Sequence, residues 1–436
     1  MAPLEAGGPF EMVVSGENTI TLTDVLVGEV WIASGQSNMV WSVRRSRDAE
    51  AEVAQAAFPR IRLFKVALKV ADQPLEDVEG SWQKCSEQSV ADFSAVGYFF
   101  ARHLHQKRGH PVGVIQTVWG STPSGSWTSR LRLASESNLS PVLENWERVL
   151  AEYPAKGREH QKALQQWEHE ARIARQKDRT EPRKPRLPQG PGHPWTPGGL
   201  YNAMIAPITP YAIRGAIWYQ GENNAHRAQG YLYRSLFPVL IHDWREQWGL
   251  GSFPFLFVQL ANFRETPPQS QWPELREAQL MTLNLRNTAM AVTVDIGNPV
   301  DIHPINKQDV GERLALGARR VAYGESVVYS GPLYRQLTRE GDRLRVWFDH
   351  VGGGLSSKDG GDLKGFVVSE DDRQFVASSA RVEGSTVVVS SPQVANPVAV
   401  RYGWEDSPIC NLYNAEGLPA SPFRSDDWRD AEMPLP

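Results

Sequence analysis

Cysteine is nearly absent: Cys85 and Cys410 are the only two in 436 residues, and neither has a second cysteine or a histidine at ligand spacing. Disulfide frameworks and thiolate metal sites are thereby set aside, and free thiols are expected in preference to a Cys85–Cys410 bridge. No apolar run reaches the roughly 18 residues of a membrane span. The opening MAPLEAGGPFEM also lacks the charged-then-apolar pattern of a signal peptide. There is no basic excess either, since 46 Lys and Arg stand against 50 Asp and Glu, for a net charge of −4. Such a balance gives no means of neutralising phosphates, so neither nucleic acid nor a membrane surface is an expected partner. Internal repeats are missing, and composition is biased only in the Pro/Gly-rich stretch RKPRLPQGPGHPWTPGG (183–199).

Tryptophan, by contrast, is plentiful at fifteen residues. Trp41, Trp119, Trp127 and Trp218 stand beside polar clusters, where flat indoles could receive sugar rings; the competing reading is that they fill cores and seams. A content of 41% hydrophobic and 22% charged residues is that of a globular protein. The length exceeds what one core serves and implies two or three domains.

Residues 10–27 alternate apolar and polar around Gly16-Glu17-Asn18, the pattern of a hairpin. From Val25 the pattern changes to VLVGEVWIASG, a nearly unbroken apolar run expected of a strand covered on both faces. Similar runs recur at 61–67, 111–120, 212–221, 253–263 and 290–297, and helix-period segments lie at 93–109, 231–249, 272–284 and 307–324. Strand and helix in alternation predict an α/β unit, a parallel sheet with helices on both faces. Residues 140–190 interrupt the rhythm: one helix through Trp146, a second charged one through Trp167, then the Pro/Gly return loop. Seven basic and two acidic residues fall between Arg172 and Arg186, read as a solvated face. After about 328 short alternating runs predict a small all-β domain. The expected organisation is a hairpin over 1–24 that could join that β domain, a catalytic unit over 25–328 with its insertion at 140–190, and the β domain over 329–436.

Ligands of open parallel sheets bind at the carboxyl ends of strands. Four polar clusters occupy such ends. The first is GQSN (35–38), where Ser37 would project from a strand-to-helix turn, as a nucleophile or as a helix-capping residue. Met39 rules out the G-x-S-x-G elbow. The second is the loop at Gly120, whose N–H can approach a ligand closely, and the third is Gln220-Gly221-Glu222-Asn223-Asn224. The fourth is Asp301-Ile302-His303-Pro304, before a helix starting near Asn306 or Lys307: residues i and i+2 can point the same way, so Asp301 could hold Nδ1–H of His303 and leave Nε2 free to take the Ser37 proton.

In this order the blocks GQSNM (35–39), Gly120 with Trp127-Thr128-Ser129, GLYNAMIAPITPYAIRGAIWYQGENNA (199–225), FPFLFVQLANF (253–263), DIHPINKQDVGERLA (301–315) and NLYNAEGLPASPFRSDDW (411–428) resemble the SGNH hydrolases, and closely their sialate O-acetylesterase and carbohydrate acetyl esterase branch. The likeness runs from about residue 20 to 428. It implies a flavodoxin-like catalytic sheet with a sandwich- or jelly-roll-like β domain, and a serine esterase that removes O-acetyl groups from carbohydrates through an acetyl-enzyme. It further implies Ser37 as nucleophile, His303 as base then acid, and Asp301 as orienting carboxylate, with Glu222 as the alternative to Asp301. The N–H groups of Ser37 and Gly120 would bind the oxyanion, and Gln220 or Asn223 would add a side-chain amide. Gln36, Asn38, Trp41, Trp119 and Trp127 would line the substrate pocket. No metal or other cofactor is implied, the partner is an acetylated carbohydrate, and the place of action is extracytoplasmic. Acetylated xylan or another plant glycan is an alternative substrate to O-acetyl sialate, and a carbohydrate-binding protein without turnover is an alternative function. Longer relatives can carry a β-rich module before the GLYNAMI block, where 140–198 here is short and charged.

Overall fold

The apolar run that begins at Val25 is divided: its first three residues end the amino-terminal hairpin, and Glu29–Gly35 forms the middle strand of a seven-stranded sheet. A computed structural model describes residues 4–428 apart from 265, 266 and 268. Strands β1 (Gly7–Ser15) and β2 (Thr19–Val27) form the amino-terminal hairpin, a two-stranded sheet of its own. Asp24 ties it to the catalytic sheet through Arg62, at 2.8 and 2.9 Å, and Lys84, at 3.0 Å. The other sheet strands are β3 (Glu29–Gly35), β4 (Phe58–Lys65), β5 (Trp82–Cys85), β6 (Val112–Val118), β7 (Gly215–Tyr219), β8 (Phe255–Val258) and β9 (Thr288–Ala291), in the spatial order β5-β4-β6-β3-β7-β8-β9. All pair in parallel except β5, an antiparallel edge strand on β4. Continuous hydrophobic sequence is what a strand covered on both faces requires, and Trp31, Ile32 and Ala33 of β3 are fully buried.

Among the helices are α1 (Ser37–Val40), α2 (Ala95–Arg108), α3 (Ser140–Gln176), α4 (Glu222–His226), α5 (Gly230–Trp248), α6 (Trp272–Met281) and α7 (Lys307–Val321). Helix α7 starts where Asn306 caps it, its side chain accepting from the Asp309 N–H at 3.2 Å. It crosses to pack on α2 at Gly311, where any Cβ would come within 2.6 Å of that of Phe99. The chain leaving edge strand β9 is thereby drawn back across the sheet toward β3.

The insertion differs from the two helices expected of it. Helix α3 is a single run of 37 residues that passes through Pro154. Proline removes one N–H and crowds one carbonyl, which a long, mostly exposed helix tolerates as a local defect, not an end.

Beyond residue 328 two four-stranded antiparallel sheets share one core, with Leu344, Val346, Phe366, Val387, Val400 and Phe423 at its centre. Arg276 of α6 links the two units by donating to the carbonyls of Glu405 and Asp406 at 2.6 and 2.9 Å, as well as to Leu260 and Ala261 of its own side.

Candidate active site

Gly35 explains how the chain leaves β3. Its φ is +134°, and a Cβ there would lie 2.1 Å from the carbonyl oxygen of Tyr219 on β7. Only glycine lets β3 end so close to its neighbour and turn at once into α1. The turn is fixed by backbone bonds, Gln36 N–H to Tyr219 O at 3.0 Å and Trp119 N–H to Gly35 O at 3.1 Å. Ser37, half-buried, opens α1 at this edge. Gly120 stands beside it, since a Cβ on Gly120 would be 3.7 Å from that of Ser37.

Two contacts bring the Asp301–His303 loop to this turn from 264 residues away. Asn38 Nδ2 donates to the carbonyl of Ile302 at 3.0 Å, and the indole of Trp41 stacks on the imidazole of His303 with centroids 5.0 Å apart. Asp301 accepts from the backbone N–H of His303 at 2.9 Å and lies 3.5 Å from Nδ1, a loose contact by hydrogen-bond standards. The carboxylate is half-exposed and the imidazole about a quarter exposed. Burial lowers the His303 pKa from its ordinary value, the charge of Lys307 lowers it further, and Asp301 opposes both. The imidazole is accordingly held toward its neutral, proton-accepting form.

Glu222, the alternative orienting carboxylate, is aimed elsewhere: Oε1 accepts from Asn38 Nδ2 at 2.5 Å. Burial raises its pKa. Lys307 completes this cluster by donating to Asn38 Oδ1 at 2.6 Å. The sequence reading missed Lys307. Its signal was a cation in the first turn of a helix, four residues after His303, where the macrodipole disfavours positive charge.

The two amide candidates separate. Gln220 is fully buried, and its Nε2 faces Asn224 Oδ1 at 2.7 Å, the Thr122 carbonyl at 3.1 Å and Gln36 Oε1 at 3.2 Å, while its Oε1 accepts from Tyr233. Two N–H bonds with three acceptors leave nothing for an oxyanion, which corrects the expectation for Gln220. Asn223 is half-buried, and its Nδ2 donates to Ser121 O at 2.9 Å, next to Gly120, with one hydrogen over.

The expected pocket lining is corrected as well. Trp127 is fully buried, edge-on to the equally buried Trp218, and its Nε1 bonds Thr122 Oγ1 at 2.9 Å, so it is core and offers no face to a sugar. Trp41 is occupied by His303 and Arg45. Gln36 and Asn38 are buried and hydrogen-bonded within the protein. Trp119 alone of these five keeps partial exposure.

Comparison with known proteins gives the family. The family model described as carbohydrate esterase, sialic acid-specific acetylesterase matches residues 191–318. Sialate O-acetylesterase of Rattus norvegicus is 31% identical over 97% of this chain and 82% of its own, and that of Homo sapiens is 30% identical over 97% and 80%. A solved carbohydrate acetylesterase from Xanthomonas citri is 37% identical, superposes with a TM-score of 0.82, and is matched over 97% of this chain and 86% of its own. With a serine turn, a histidine loop and a glycine N–H gathered at one sheet edge, and with that likeness over nearly its whole length, the chain belongs to the sialate O-acetylesterase family and is a carbohydrate O-acetyl esterase.

Proposed function

We propose that the esterase acts through a Ser37–His303–Asp301 triad and an acetyl-enzyme. Ser37 Oγ attacks the acetyl carbonyl carbon as Nε2 of His303 takes its proton. The tetrahedral oxyanion is held by the N–H groups of Ser37 and Gly120 and by Nδ2 of Asn223, each donor contributing roughly 3 kcal/mol. The carbon–oxygen bond to the sugar breaks, and His303 returns the proton to the departing hydroxyl. Water then repeats the sequence and releases acetate. Asp301 holds the imidazole by the loop backbone and by Nδ1, tightening its loose contact when the imidazolium forms.

The observation that carries this reading is the double tie between the Ser37 turn and the His303 loop, through Asn38 to Ile302 and through Trp41 to His303. An O-acetylated sialate is the substrate suggested by the names of the curated relatives, and an extracytoplasmic place of action accompanies it on the strength of the same family resemblance. The test is an acetate-release panel of O-acetyl sialate, acetylated xylo-oligosaccharides and an aryl acetate, run on wild type and Ser37→Ala. The variant is expected to fold and to lose about 10⁴-fold or more of kcat on every substrate. Undiminished release by Ser37→Ala rejects the triad, and preference for the xylo-oligosaccharides rejects the sialate assignment alone.

A further inference from the structure

Three segments far apart in sequence meet on one amide beside the nucleophile. Asn38 gives one N–H to Glu222 Oε1, at 2.5 Å, and the other to the Ile302 carbonyl, at 3.0 Å, and its Oδ1 accepts from Lys307 Nζ at 2.6 Å. Both of its hydrogens and its oxygen are thus engaged. Asn38 follows Ser37 in α1, Glu222 opens α4 after β7, Ile302 lies between Asp301 and His303, and Lys307 opens α7. Lys307 has no exposed surface, and its ammonium sits 5.2 Å from the Tyr219 ring and 5.8 Å from Trp41. Glu222 Oε2 is buried with no hydrogen-bond partner among the described residues.

Burying an amine and a carboxyl around one amide costs more than apolar packing of the same volume. A purely architectural junction has no need of them, whereas a site that must hold two loops in register and govern a proton does. We propose that Glu222, Asn38 and Lys307 form a positioning clamp, which fixes the Ser37 turn against the His303 loop and sets an ammonium where it favours the neutral imidazole. The proposal rests on the reading of Ser37 and His303 as nucleophile and base.

The charges around the imidazole are consistent with it. His303 faces Asp301 from its own loop, Lys307 from α7 and Arg45 from the turn after α1, and Lys307 in turn faces Glu222 and Asp301. Burial brings Lys307 down to about 7. The ammonium is therefore present through the acid range in which His303 titrates, and its removal makes the imidazole easier to protonate.

Lys307→Met removes the cation but strands Glu222, so it is paired with Lys307→Met/Glu222→Gln, in which the Gln carbonyl still accepts from Asn38. The measurement is kcat and KM for an aryl acetate across pH, with thermal unfolding of each variant and Ser37→Ala as control. The folded variants are expected to hold KM within about twofold, to lose about tenfold or more in kcat, and to move the acid limb of kcat/KM upward by about half a pH unit or more. A folded variant with its profile and kcat unmoved overturns the clamp, and so does failure of both to fold, which would make the cluster architectural only. Turnover retained by Ser37→Ala instead overturns the underlying triad, whatever the Lys307 variants do.

Discussion

The indole of Trp41 lies nearly parallel to the imidazole of His303, 17° from coplanar with centroids 5.0 Å apart, and the Arg45 guanidinium sits 3.7 Å from the same indole. The proposed general base is thus steadied by a flat wall that begins only four residues after Ser37, the proposed nucleophile. Replacing Trp41 by Ala removes that wall and opens a cavity. A stability loss of about 3 kcal/mol is expected, with a fall in kcat of about 10²-fold from imidazole misplacement. Trp41→Phe should recover most of both. Thermal unfolding and single-turnover kinetics check the pair, and full activity in the Ala variant would deny the stack any role.

The pH profile follows from the surroundings of His303. Its ordinary pKa of 6.5 is lowered by burial and by Lys307. The neutral base therefore persists to lower pH than for a free imidazole, and the acid limb of kcat/KM for the free enzyme should bend below 6.5. An inflection above that value would mean that Asp301 outweighs both influences.

Two glycines at the same sheet edge should respond in opposite ways. Gly35→Ala forces a Cβ to 2.1 Å from a backbone oxygen at positive φ. A loss of about 3 kcal/mol or outright insolubility is expected. Gly120→Ala meets nothing nearer than 3.7 Å, so the fold should hold within about 0.5 kcal/mol while the added methyl crowds the oxyanion position. Denaturant melts and kcat for an aryl acetate separate the two effects.

Asn223 and Gln220 offer a similar contrast. Asn223→Ala should lower kcat by about 10²- to 10³-fold with its melting point nearly unchanged, as for the loss of an oxyanion donor. Gln220→Ala should act mainly on stability, by about 1–3 kcal/mol, because it leaves the buried Tyr233 hydroxyl without its acceptor and takes one donor each from Asn224 and Gln36. Equal effects of both on kcat alone would reverse the assignment.

Much of this was legible in the residues because the signals are local. Strands β3, β6 and β7 announce themselves as unbroken apolar runs, and the turns after them show their polar ends. The D-x-H spacing indicates a carboxylate beside an imidazole, and Asp301 does reach both the backbone and ring of His303. What stayed hidden depends on tertiary burial. Trp127 and Trp41 read as sugar platforms from their neighbours in sequence, yet they are enclosed by elements more than 80 residues away. Asn38 and Lys307 are 269 positions apart, and nothing in either neighbourhood names the other. The sequence reads as two helices, one through Trp146 and a charged one through Trp167, yet helix α3 runs unbroken through Pro154.

The placement of β3 has a last consequence for how the site breathes. Bonded on one flank to β6 and on the other to β7, this strand is expected to keep its amides among the best protected from solvent exchange, which hydrogen exchange would read directly. Asp301, by contrast, stands half in water on a long excursion from edge strand β9. Of the proposed triad, Ser37 thus follows the middle strand of the sheet, while Asp301 alone stands half in water, so the carboxylate is the member whose surroundings an arriving sugar would change most.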